Sequence, residues 1–439
     1  IGNTGMLTGF LQNNNTTANP FNPNPATYKP TNVTGAPAAS YELDVTDQNF
    51  RFPQTWRTNV GVDRRIVWGM IATGEFIYNR DVNAPYYINA NEPAPSGNYT
   101  GIDNRVRWTT AAAPGITTVY PACASTGQVG TCVSRINNAP GNQVTAAYVI
   151  KNTDLNRSWN ASFSLTKPMQ NGLTFKGGYA YGVSESAFDP ASTASSSYAS
   201  TFQPTAGDPN VTPLGYSATS PGHRYFFAAT YSKQWFKWGA TTVSAFLDGH
   251  TNGNTSYVFA GDANGDTFSG NDLIYIPANE SEMNFKPLTT TLNGQSITYT
   301  AQQQADAFEQ YINNDPYLKS HRGQYAEKYA VFLPIVSRLD LSLSQDVFAN
   351  LGGRKHSGQI RLDINNFGNL LNHNWGVGQR LINQQILTSP TTDAQGRLTY
   401  NMQTLAGVLL TTPYQNSANI GTTSSDVYIL MLSFRYTFQ

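Results

Sequence analysis

RLDLSLSQDVFANLGGRKHSGQIRLDIN, residues 338 to 365, decides how this chain folds. Leu339, Leu341 and Leu343 alternate with Arg338, Asp340, Ser342 and Ser344. After the turn signal Gly352-Gly353-Arg354-Lys355, Ile360, Leu362 and Ile364 alternate with Gln359, Arg361, Asp363 and Asn365. A strand sends successive side chains to opposite faces, so period two marks a strand and assigns its faces. Each run has one apolar face, and the other face carries charges of both signs.

The same period recurs from about residue 41 onward. Thr58, Val60 and Val62 alternate with Asn59, Gly61 and Asp63. Met70, Ala72, Gly74, Phe76 and Tyr78 alternate with a set containing Thr73 and Glu75. Trp159, Ala161, Phe163 and Leu165 alternate with Asn160, Ser162, Ser164 and Thr166. The hairpin signal Asn171-Gly172 follows. The next run puts Leu173, Phe175, Gly177, Tyr179 and Tyr181 on one side. A sandwich of two sheets also alternates, but its polar faces meet bulk water and its strands are shorter. Several runs here exceed about ten residues, enough to cross a membrane at a tilt. The expected fold is all-β, an antiparallel transmembrane β-barrel with roughly 10–12 strand candidates.

Composition agrees. Charged residues are 12% of the chain and aromatics 12%, with 25 Tyr and 22 Phe. That charge content is about half of an ordinary soluble domain's. No run approaches the roughly 18 apolar residues of a membrane helix. Formal net charge is zero, and with no basic run this argues against a nucleic-acid partner. The chain opens on Ile1 without a targeting segment. That points to a removed signal peptide or to numbering that starts inside a longer protein.

The connections are lopsided. Turns near 68, 171, 237 and 353 are short. Stretches near 89–143, 185–221 and 249–330 are long and polar. Short periplasmic turns and long extracellular loops are the outer-membrane pattern. Residues 1–40 read as loop or a poorly ordered segment, and 41–439 as the barrel portion. Ala301–Tyr317 reads as a short surface helix ending near Pro316.

Five groups of residues stand out. Cys123 and Cys132 flank a short polar stretch and are expected to form a disulfide in an oxidising compartment. Asp262, Asn264 and Asp266 have the i, i+2, i+4 spacing of half a calcium loop, and Asp272 offers another carboxylate. Thr267 stands where an EF-hand has Gly, and Leu273 where it has Glu. The competing reading is a loop of Asx-turns, in which these side chains satisfy their own backbone. Arg338, Asp340, Arg361, Asp363 and Arg435 would line a polar lumen, paired with one another across neighbouring strands or gripping a solute. Trp56, Trp68, Trp159, Trp235, Trp238 and Trp375 lie mostly at strand ends and read as an interfacial girdle. The last run carries Tyr428, Leu430, Leu432, Phe434, Tyr436 and Phe438 on one face, expected to meet outer-membrane lipid.

Several segments, in order, resemble the barrel of TonB-dependent outer-membrane receptors, specifically the Oar-like group. They are Phe52-Pro-Gln-Thr-Trp-Arg57, Asn171-Gly-Leu-Thr-Phe175, His223-Arg224, Gly261-Asp-Ala-Asn-Gly-Asp266, Asn271-Asp-Leu-Ile-Tyr-Ile-Pro277, Arg338-Leu-Asp-Leu-Ser-Leu343 and Asp363-Ile-Asn-Asn-Phe-Gly-Asn-Leu-Leu-Asn372. The resemblance spans roughly residues 41–439. It implies energised uptake of an unidentified solute across the outer membrane of a Gram-negative bacterium. That family has an N-terminal plug pulled by the TonB system and a barrel of about 22 strands. Nothing before residue 41 looks like a plug, so the chain resembles roughly the second half of such a receptor. The closing strand of outer-membrane barrels is read by the barrel-assembly machinery through a final aromatic. Here that is Phe438, with Gln439 after it. The rival functions are a passive pore and a structural barrel of a secretion, adhesion or envelope complex. No H-E-x-x-H or G-x-S-x-G occurs, and the chain is read as not an enzyme.

Overall fold

The computed structural model describes residues 40–123, 130–138, 143–198, 203–236, 239–351, 354–417 and 426–438, with Pro20, Asn22, Asn24 and Thr27. The loop reading of residues 1–40 lies almost wholly outside the described residues, as do Gly352, Gly353, the turn at 237–238 with Trp238, and Gln439.

One large antiparallel sheet dominates. Its long strands are β1 (Thr55–Arg65), β2 (Ile71–Asp81), β3 (Arg157–Gln170), β4 (Leu173–Ser186), β5 (Gly222–Phe236), β6 (Gly239–Thr251), β7 (Ile335–Leu351), β8 (Arg354–Asn365) and β9 (Ile429–Phe438). They pair in chain order, each with the next, and the two-residue strand Gly215–Tyr216 adds to β4 to make ten. The sheet is therefore a meander. Among the described residues it does not close, because β1 and β9 are not paired with each other. The structure thus gives the all-β antiparallel sheet that the alternation predicts, but not a closed barrel.

The register keeps the two faces separate. Leu173, Tyr231, Val243, Leu343, Leu362 and Leu432 stand opposite one another across six strands. The neighbouring row is Thr174, Thr230, Ser244, Ser342 and Asp363, ending on Met431. On the other half of the sheet, Val60, Phe76, Ala161 and Tyr181 share the apolar face, and Glu75 and Ser162 the polar one. Large apolar side chains also fall on the polar face, among them Ile77, Phe226, Phe246, Phe348 and Met431. Among the described residues nothing covers the apolar face of the last strand: Leu432 is 75% and Phe434 74% exposed. A strand in a sandwich would bury such residues against a second sheet.

The strands turn tightly at one end. β3 and β4 are joined by Asn171 and Gly172, both at positive φ (52° and 81°), as a two-residue turn matched to strand twist requires. At the other end the connections are long: 82–156, 187–221, 252–334 and 366–428. The sequence identifies the first three; the fourth is a correction. Among the described residues its strands are two to six residues long, such as Gln379–Leu381, Leu387–Thr392 and Leu398–Met402, too short for a readable period.

These connections hold the main hydrophobic core. Tyr257, Phe259, Ile274, Phe308, Tyr311 and Leu387 are fully buried, and the cluster around them draws on the first, third and fourth connections. Aromatic edges interlock there, with Phe285 and Tyr400 rings 5.0 Å apart. A helix spans Ala301–Asn314, started by a capping box in which Thr300 Oγ1 accepts from Gln303 N and Gln303 Oε1 from Thr300 N. It is the surface helix expected from the sequence, exposed at Gln302, Asp306, Gln310 and Asn313, while Phe308, Tyr311 and Ile312 bury its other face in this core. The helix ends at Asn314, next to Pro316 as expected, and Pro316 then opens a second short helix, Pro316–Ser320, capped by Asp315. The first connection also contributes Ala84–Asn89 and Gln143–Thr153 to a three-stranded sheet, completed by Ser40–Thr46 in parallel pairing.

Candidate functional site

Arg338, Asp340, Arg361, Asp363 and Arg435 all fall on the polar face of the sheet by register. They do not form a ladder among neighbouring strands. Arg361 pairs with Asp363 along its own strand at 2.8 Å and donates to Ser342 Oγ at 3.1 Å. Arg338 reaches into the fourth connection, to Asp426 Oδ1 at 3.0 Å and the Gly376 carbonyl at 3.1 Å. Asp340 accepts from the Asn366 backbone N–H at 2.7 Å. Arg435 stands opposite Gln359. At the strand ends next to the first and second connections, a polar cleft is lined by Asp81, Arg157, Ser184, Glu185, Asp189 and Ser217; Asp81 and Ser184 belong to the polar face by register, Arg157 and Glu185 to the other. Arg157 and Glu185 form an ion pair there.

Leu430, Leu432, Phe434, Tyr436 and Phe438 occupy one face of β9 by register, and Tyr428 just precedes the strand. Trp56, Trp68, Trp235 and Trp375 are exposed; Trp68 and Trp235 lie at the tight-turn end, and Trp56, Trp159 and Trp375 at the other. Cys123 and Cys132 are bonded to each other, with Cα atoms 5.1 Å apart.

The Asp262 loop lies in the buried part of the connections. Asp262 accepts from the backbone N–H of Gly265 at 2.6 Å and of Thr267 at 2.8 Å. Asn264 Oδ1 accepts from Asp266 N, and Asp266 Oδ1 from Phe268 N. These are the Asx-turn bonds of the competing reading. Thr267, the departure from an EF-hand, has φ of 77°, the left-handed conformation that Gly supplies at that position. Asp272 Oδ2 accepts from Ala263 N at 2.8 Å, while its Oδ1 is buried without a hydrogen-bond partner. Arg105 Nη1 stands 3.9 Å from that oxygen, also without a hydrogen bond. Among the described residues no three His, Cys, Asp or Glu side chains are gathered tightly enough to hold a metal as they stand.

Two carboxylates that sequence reasoning did not single out belong to this neighbourhood, Glu92 and Asp208. Hydrogen bonds from backbone N–H groups bring them in. Trp108 N donates to Asn264 O at 2.7 Å, Thr205 N to Asn271 O at 2.8 Å, and Asn89 N to Asn210 Oδ1 at 2.7 Å. Tyr198 OH donates to Glu92 Oε2 at 2.5 Å, leaving Oε1 buried and without a partner. Burial pushes the Glu92 carboxyl up to about 8, and the charges of Asp208 and Asp262 add to this. Burial raises Asp266 as well, reinforced by Asp272 and Asp262. Burial raises Asp272 against the opposing pull of Arg105. Single acids far apart in sequence carry no spacing signal that would have found them. Comparison with family models, with curated proteins and with solved structures gives no match to this chain.

Proposed function

We propose that this chain works as an outer-membrane receptor barrel, taking up a solute in an energised, TonB-dependent step, with the long connections receiving the ligand outside the cell. The observation that carries the reading is the row Leu173, Tyr231, Val243, Leu343, Leu362 and Leu432, apolar across six strands and backed by a polar row. A face of that kind left uncovered is stable against lipid, and its polar reverse suits a lumen. The ordered resemblance to Oar-like receptors supplies the energised step. The long connections, rich in polar side chains, are where this reading has the solute first bound.

The test is membrane fractionation followed by uptake of labelled iron chelates, vitamins, sugars and peptides, with and without the proton-motive force. The expected outcome is an outer-membrane protein whose uptake of one class stops when the force is collapsed. Flux that continues unaltered would replace the receptor reading with a passive pore. A protein absent from the outer membrane would remove both.

A further inference from the structure

The loop assembly places carboxylates from three separate connections in one buried neighbourhood, without gathering three of them tightly. Glu92 comes from the first, Asp208 from the second, and Asp262, Asp266 and Asp272 from the third. Two backbone bonds and one side-chain bond link the three connections: Trp108 N to Asn264 O, Leu273 N to Thr205 O at 2.9 Å, and Asn264 Nδ2 to Gly207 O at 3.5 Å. Glu92, Asp208, Asp262 and Asp266 have no ion-pair partner among the described residues, and Asp272 has only the distant Arg105. Buried like charges are expensive unless neutralised. Two independent positions show the want of a partner: Glu92 Oε1 and Asp272 Oδ1 are both buried carboxylate oxygens with no donor, and they come from different connections.

We infer that this cluster is a calcium site that ties three connections of the loop assembly together. Glu92, Asp262, Asp266 and Asp272 supply carboxylate oxygens, with Asn264 and Asp208 beside them. A set of oxygen donors only, drawn from flexible loop segments, suits calcium, which takes six to eight oxygens, better than magnesium with its near-octahedral demand. Asn264 Nδ2 now donates to Asp266 Oδ2 at 3.0 Å; the cation would replace that amide as the partner of Asp266. The site is independent of what the sheet transports.

The experiment uses the full chain folded in detergent micelles and stripped with a chelator. Calorimetric titration with calcium is expected to show binding, weakened about tenfold or more in Asp266→Asn and in Glu92→Gln, which keep shape and remove charge. Terbium is read in parallel, because Trp108 adjoins the loop. Its emission on tryptophan excitation should be displaced by calcium and lost in Trp108→Phe, while that variant still binds calcium. Absence of both calcium heat and terbium emission in the parent would overturn the site, whatever the variants do. Undiminished calcium binding in both charge-removing variants would also overturn it, and an equal response to magnesium would overturn the assignment to calcium.

Discussion

Lys328 is a buried cation in the loop assembly, 3% exposed at its side chain and 3.3 Å from Asp189 Oδ2. Its ammonium also donates to Gln203 Oε1 at 3.1 Å and the Ser186 carbonyl at 3.3 Å, joining the third connection to the second. Removing one member of a buried pair leaves the other charge uncompensated and costs about 3–5 kcal/mol. Asp189 would keep Ser217 Oγ and the Ala218 N–H, so Lys328→Met should fall near the lower end, about 3 kcal/mol, in urea unfolding. Burial holds the Lys328 ammonium below the usual lysine range, and Asp189 opposes that shift. With the folded value lower than the unfolded one, the unfolded chain binds more protons between the two. Stability due to this residue therefore rises with pH across that window. The difference in unfolding free energy between parent and Lys328→Met should grow as pH climbs toward the usual lysine range. Parallel pH curves would contradict the assignment.

The β3–β4 hairpin shows what one turn contributes. Gly172 has φ of 81°, and a Cβ there would run into the Ser232 carbonyl oxygen. Gly172→Ala should cost more than about 1 kcal/mol and lower the folding yield, read by heat-modifiable gel migration. Asn171-Gly172 and the alternation on either side of it were legible in the sequence because a tight turn and a two-residue period are local signals. Leu339 to Leu343 and Ile360 to Ile364 were legible for the same reason. The fourth connection and the loop core were not. Tyr257 meets Asp315 and Phe259 meets Tyr400 across long sequence separations, and two-residue strands leave no period. The acid cluster was half legible: the third connection shows its spacing, while Glu92 and Asp208 arrive only through contacts such as Asn89 to Asn210, 121 positions apart. On the membrane reading, the faces of β9 make a sharp contrast. Phe434→Arg, on the apolar face, should cost about 2–4 kcal/mol on insertion into lipid vesicles. Ser433→Arg, one residue away on the polar face, should be tolerated. Equal effects in a vesicle-folding titration would argue against lipid on the apolar side.

At the scale of the whole molecule, the buried core lies in the connections, and among the described residues the sheet has two free edges. All residues of β1 are exposed, and β9 is exposed at nearly every described side chain. Unpaired backbone groups in lipid cost several kcal/mol each, so on the membrane reading both edges need partners. They are poor partners for each other. Each strand along the path β1 to β9 runs opposite to the last, so β1 and β9 point the same way and would have to close as a parallel pair. Bacterial outer-membrane barrels close with an even number of antiparallel strands. We therefore expect each edge to pair with a strand other than the opposite edge. The native cysteines are bonded to each other, and no free thiol occurs among the described residues, so introduced thiols can be followed cleanly. Val60 and Phe76 face each other on β1 and β2, and Val60→Cys with Phe76→Cys serves as the positive control. In folded protein in membranes, Val60→Cys with Leu432→Cys should give no intramolecular bridge on oxidation. A bridge as efficient as the control's would mean that the sheet closes on itself, and the search for a second set of strands would end there.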